Sequence, residues 1–189
     1  MTEKHCENLF TAFGIRNSCT GNTLYYQSIP GFFILYFTGR MKGGRKMRGD
    51  DAAIYREIQK NAEMGIKAIE TLTPKLSDDA FALQLSRQEL KYSELRDKAR
   101  QEMLEGRGET YQANGVSDLM LKGSIQANTL LNTSTSHIAE IMIKEENRGL
   151  TSMWKALNHF GNAGNASTEL ARELMDFEEE SIEKLKKYL

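Results

Sequence analysis

From Asp51 to Leu189 the apolar residues recur at steps of three and four in four separate helix-length stretches. That spacing puts them on one face of a 3.6-residue helix, and four such faces can be hidden from water only against one another. With 189 residues, 40% hydrophobic and 27% charged, the chain can bury one core of ordinary size. The only prolines are Pro30 and Pro74, so everything beyond Pro74 is free of the residue that most strongly interrupts helices. The expected fold is all-α, an antiparallel four-helix bundle.

The first stretch opens at an Asp50 or Asp51 N-cap and stops near Pro74, with Ile54, Ile58, Ala62, Gly65, Ile69 and Leu72 as its stripe. Gly65 in a helix interior costs up to about 1 kcal/mol against Ala, so a bulky neighbour is expected to pack closely there. The second runs from the Ser77-Asp78-Asp79 cap to about Leu104, with Gly106 and Gly108 as stop signals. Its stripe is Phe81, Leu85, Gln88, Tyr92, Leu95, Ala99 and Met103. A weaker helix over Val116–Leu131 follows, with Leu119, Met120, Ile125 and Leu130 as its apolar members. The third long helix starts around Asn132 to Thr135 and ends at Gly161. Ile138, Ile141, Met142, Glu145, Gly149, Met153, Ala156 and Phe160 form its stripe. The fourth begins at Ser167-Thr168-Glu169 and carries Leu170, Leu174, Phe177, Ser181, Ile182, Leu185 and Leu189. Short first and last connections make two antiparallel hairpins, joined by a long connection between the second and third long helices.

Residues 1–46 are of another kind. Lys and Arg outnumber Asp and Glu by 6 to 2 before Met47, and are outnumbered 19 to 24 from it onward. The segment holds Cys6, Cys19 and the run Phe32–Phe37, with no sustained periodicity, and it is expected to be a poorly structured extension. The run falls short of the roughly 20 apolar residues that a spanning helix needs. Lys42-Gly43-Gly44 is encodable by a purine-rich ribosome-binding sequence just upstream of Met47. The expected natural start is therefore Met47, with residues 1–46 read as translated upstream sequence; peptides from that segment in a digest of the native protein would count against this.

A formal net charge of -1 offers no basic face for phosphates, so no nucleic-acid partner is expected. Carboxylate-bridged metal bundles need Glu-x-x-His, because i and i+3 share a helix face. The histidines are His5, His137 and His159, and Ser134 and Ala156 stand three residues before the last two. The reversed pair His137 and Glu140, with Glu63, Glu89, Glu145 and Glu178 available from other turns, is the metal set that remains to be drawn; His137, Glu140, Glu145 and Glu63 are its candidate ligands, and iron or manganese is the ion it would take. No other cofactor is expected. Nucleophile triads and phosphate loops have no counterpart, so the chain reads away from an enzyme. Trp154 beside Met153 and Phe160 reads as core or subunit contact, and Glu178-Glu179-Glu180 as a solvated face. Gly65 and Gly149, both on core stripes, would also suit a small-ligand pocket between helices.

Asn61-Ala62-Glu63-Met64-Gly65, Ser134 through Glu140, and Phe177-Glu178-Glu179 through Leu185 resemble a group of small uncharacterised Firmicutes proteins with a ferritin-like four-helix pattern, over residues 47–189. The resemblance implies that fold and a cytoplasmic bacterial setting, and it brings no activity. The expected role is a non-catalytic structural or interaction protein, acting through self-association, such as a homodimer, or a protein partner. The alternative is a metal-binding or redox bundle with a non-standard carboxylate and His ligand set.

Overall fold

The computed structural model describes residues 24–29, 32–37, 46–112, 115–130 and 132–189. Cys6, Cys19 and His5 lie outside them. The chain divides into two compact units, Met1–Gly43 and Gly44–Leu189. In the first, β1 (Leu24–Ile29) and β2 (Phe32–Phe37) pair antiparallel, Ile29 opposite Phe32 and Leu24 opposite Phe37. The extension, for which a strand-forming reading is the alternative to a disordered one, thus contains an antiparallel ladder. Its aromatic and β-branched composition suits strands.

The second unit is helical: α1 (Gly49–Leu72), α2 (Asp79–Glu105), α3 (Gly115–Thr129), α4 (Thr135–His159) and α5 (Asn165–Leu185). Helix α1 packs on each of the other four, and α5 packs on both α2 and α4. Asn61 donates to the Gly149 carbonyl (2.9 Å) and Ser152 to Glu57 (2.5 Å), so α1 and α4 run antiparallel. Lys98 reaches Glu173 (3.0 Å) while Tyr92 reaches Glu178, so α2 and α5 do too. The α2-to-α4 connection must therefore travel back along the unit, and α3, laid mainly against α1, is part of that return. Among the described residues no helix is long and apolar enough to cross a membrane.

The α2 stripe is buried residue for residue as its spacing predicts, and α1 buries Ile54, Ile58, Ala62, Ile69 and Leu72 completely. Three expectations are corrected. On α3 the buried apolar residues are Leu121 and Ile125, while Leu119, Met120 and Leu130 are exposed; a short helix on a single neighbour needs only a narrow stripe. On α4 the inward carboxylate is Glu146, with Glu145 half-buried and paired to Arg148 at 2.5 Å. On α5, Glu178 is buried while Glu179 and Glu180 are exposed. Trp154 is exposed as well.

The caps also differ in part. Asp78 accepts from the Phe81 amide (2.9 Å) and Ser134 from the His137 amide (3.3 Å), as expected at those starts. The N-cap of α1 is Arg48, and Asp51 instead reaches across to the start of α5. There it accepts from the Gly164 amide and the Ser167 hydroxyl, both at 2.6 Å. Helix α5 accordingly begins at Asn165 with Gly164 as N-cap. At the end of α2 the Gly108 amide returns to the Met103 carbonyl and the Arg107 amide to Leu104, the paired bonds of a Schellman stop. The left-handed position falls on Arg107, at φ 55°, between the two glycines. Left-handed backbone costs a non-glycine residue about 1 kcal/mol or more, so Arg107→Gly is expected to raise stability by about that amount, read as a higher urea midpoint at unchanged m.

Candidate functional site

Near the middle of each long helix the inward side chains turn small or polar together. Asn61 and Gly65 on α1, Tyr92 on α2, Glu146 and Gly149 on α4 and Glu178 on α5 line a cavity of about 390 Å³. Its volume falls in the range of small-molecule sites. Both glycines admit a bulky neighbour and do not simply leave space. A Cβ at Gly65 would stand 2.7 Å from the Tyr92 ring, and one at Gly149 would stand 2.5 Å from the Glu178 Oε1. The close packing expected at Gly65 is thus found, with Tyr92 as the residue that needs it. Phe177 meets the Tyr92 ring edge-on at 4.9 Å and fixes its tilt.

Glu146 and Glu178 are each only 2% exposed. The Tyr92 hydroxyl donates a long bond of 3.4 Å to Glu178 Oε1, while Glu178 Oε2 and both oxygens of Glu146 have no protein partner. Burial pushes the Glu146 carboxyl up to about 9, with the Glu178 charge adding to the shift. Burial likewise pushes Glu178 up to about 8, against the opposing pull of the Tyr92 hydroxyl. Desolvation penalises the charged form, and two carboxylates in one site penalise each other. At neutral pH Glu146 and Glu178 are therefore both carboxylic acids. Burial, followed by the charges of Glu178 and Glu146, raises the Tyr92 phenol well above its ordinary range, so it stays a hydrogen-bond donor.

The metal set drawn from sequence is scattered. His137 Nε2 lies 2.9 Å from the Asn128 carbonyl, and its Nδ1 is 3.6 Å from Glu140, which also binds Lys144. Glu63 pairs with Arg96 (3.2 Å) and Lys67 (3.3 Å) on the outside of α1. Only Glu145 reaches the cavity, with its carboxylate held by Arg148. Among the described residues no group of three or more His, Cys, Asp or Glu side chains is placed to hold a metal ion.

Helical spacing points to Glu145 and leaves Glu178 between a solvated face and an inward carboxylate, whereas the structure buries Glu146 and Glu178. Positions 145 and 146 both continue the α4 stripe at three- or four-residue steps, and a charged residue is ordinarily placed outside. The signal was the pair of glycines on facing stripes, which marked the level of the site. Gln88, one turn from Tyr92, is 2% exposed with neither amide atom partnered in the protein. An unsatisfied buried amide costs about 1–3 kcal/mol. Gln88→Leu is therefore expected to raise the urea midpoint, and a lower midpoint would show that the amide is satisfied in solution. No protein-family model, curated protein or solved structure matches this chain.

Proposed function

We propose that the helical unit is a ferritin-like four-helix bundle that holds a small molecule in its core, a non-catalytic binding role. The ferritin-like reading is supported by the neighbour relations of the four long helices and the returning connection that contains α3. The binding reading is carried by one observation: two carboxyl groups, each 2% exposed, face a cavity and keep three oxygens without a protein partner. Buried polar atoms are ordinarily satisfied, and such exceptions concentrate at functional sites. Among the described residues neither His nor Cys lines the cavity, whose other polar members include Lys60, Ser124 and Ser152.

A metal centre at this level has less to build on. Three residues beyond Glu146 and Glu178 stand Gly149 and Ser181, where carboxylate-bridged bundles place His. The test is a thermal-shift survey of small organic cations, acids and neutral alcohols on the full chain and on Glu146→Gln/Glu178→Gln. A ligand present at about 100 times its Kd adds roughly 2.7 kcal/mol, several degrees of Tm. A shift from at least one class in the wild type is expected, with any charged ligand that shifts it losing its effect in the variant, and no shift from any class would sink the binding reading.

A second reading, self-association, is favoured by the exposed Leu119 and Met120 of α3. Apolar side chains presented by a returning helix suit a contact between copies. Sedimentation of the full chain beside Leu119→Lys/Met120→Lys tests it: a dimer that the variant dissolves supports it, and a monomer in both ends it.

A further inference from the structure

We propose that the cavity between α4 and α5 takes a primary alkylammonium ion, its ammonium group between Glu146 and Glu178 and its alkyl body against Met64, Leu121 and Met142. This rests on the binding reading above and adds the chemical class of the ligand. An ammonium group carries three N–H donors and no acceptor. Two oxygens of Glu146 and one of Glu178 are buried without a partner among the described residues, and the carboxyl that ionises on binding supplies the acceptor for the ammonium group.

The remaining lining favours an organic cation over a bare ion. Three methionines (Met64, Met120, Met142) and Leu121 give an apolar wall too large for a single metal ion, and thioethers are poor ligands for hard cations. The Tyr92 ring, a cation-attracting face, forms part of the same wall. The other charged groups that face the space are Lys60 on α1 and Glu145 and Arg148 on α4, whereas α2 and α3 contribute only uncharged side chains. Lys60 is paired with Glu57 at 3.1 Å and Arg148 with Glu145 at 2.5 Å. Neither cation therefore reaches the orphan oxygens as an internal partner.

Charge balance fixes the proton count. One ammonium neutralises one carboxylate, so binding to a site that holds two carboxylic acids ionises one of them and releases one proton to solvent. A divalent metal ion would release two. Because release is part of the equilibrium, affinity rises with pH, about tenfold per unit, until the carboxyl that ionises is already charged in the empty site.

The experiment is calorimetric titration of the full chain with n-butylammonium chloride at pH 6, 7 and 8, in two buffers of different ionisation heat. n-Butanol serves as the neutral ligand of the same shape. The expected result is one butylammonium per chain, close to one proton released at pH 6, and affinity climbing about tenfold from pH 6 to pH 7. Glu146→Gln/Glu178→Gln keeps the shape of both side chains, and circular dichroism shows whether it folds. It is expected to lose butylammonium affinity by about tenfold or more while binding butanol as before. Glu146→Gln alone, which leaves one acid to ionise, should weaken butylammonium while still releasing close to one proton at pH 6.

Equal binding of butanol and butylammonium without proton release would overturn the ammonium assignment and leave a binding cavity. Binding of neither would remove both. Manganese(II) chloride bound with two protons released, and displacing butylammonium, would overturn the proposal in favour of a metal.

Discussion

Between pH 5 and pH 8 the full chain is expected to lose stability steadily as the solution becomes more alkaline, opposite to the usual behaviour of a protein rich in surface carboxylates. Glu146 and Glu178 have folded-state values of about 9 and about 8 against 4.5 in the open chain. In that interval the folded state binds more protons than the unfolded one, so the stability slope with pH is negative. Their contribution is fully present below 4.5 and is lost as pH rises through the folded values. Each group contributes up to about 1.4 kcal/mol per pH unit, which for a chain of this size lowers Tm by roughly 3 °C or more per unit. On the acid side the sign reverses. Burial raises Asp51, but the Ser167 hydroxyl, the Gly164 amide and Arg48 together outweigh it and hold its carboxyl below 3.8. That stability is present above the ordinary value and disappears as pH falls through the lowered one. The profile is therefore a dome with its maximum near pH 5. Glu146→Gln/Glu178→Gln should match the wild type at pH 5, exceed it at pH 8, and show no decline between. A wild-type Tm that is flat from pH 5 to pH 8 would mean that the two carboxyls titrate as if exposed.

The fold of the helical unit was open to reading because its core is periodic and largely apolar. Helix α2 shows this most directly: Phe81, Leu85, Gln88, Tyr92, Leu95, Ala99 and Met103 are its buried residues, and the two polar members follow the same spacing as the five apolar ones. Where a face had one partner instead of three, as on α3, periodicity over-counted the buried residues. The site was half open. Gly65 and Gly149 marked its level, since a residue without a side chain inside a packed stripe signals that something large comes close. What filled the space beside Gly149 was not readable, because the filler is a glutamate and composition places glutamates outside. The choice between Glu145 and Glu146 depends on a rotation of one residue about the α4 axis, which Arg148 settles by holding Glu145 at the rim. Asp51 makes the same point at a helix end. Its carboxylate was suited to cap its own helix, yet it caps α5, because the α4-to-α5 turn brings Gly164 and Ser167 within 2.6 Å.

Gly149→Ala is expected to destabilise the chain although alanine is the better helix former. Replacing an interior glycine gains up to about 1 kcal/mol in propensity. That gain should appear alone at Gly123, where an added Cβ would meet nothing within 4 Å, so Gly123→Ala should raise stability. At Gly149 the new Cβ would stand 2.5 Å from Glu178 Oε1 and 3.1 Å from its Cδ. The carboxyl would have to move, giving up its Tyr92 hydrogen bond. Overpacking of this kind costs about 1–3 kcal/mol, and it outweighs the propensity gain because the obstacle is a buried polar group held against the glycine. The contact with Glu178 fixes the coupling as well as the sign. In a Glu178→Ala background the obstacle is gone, so Gly149→Ala should become stabilising, like Gly123→Ala. A double-mutant cycle of urea midpoints between positions 149 and 178 should therefore show an interaction energy of about 1–3 kcal/mol. A cycle that closes to zero would mean that Glu178 does not occupy the hollow over Gly149, and the acid pair would lose the contact that holds it in the core.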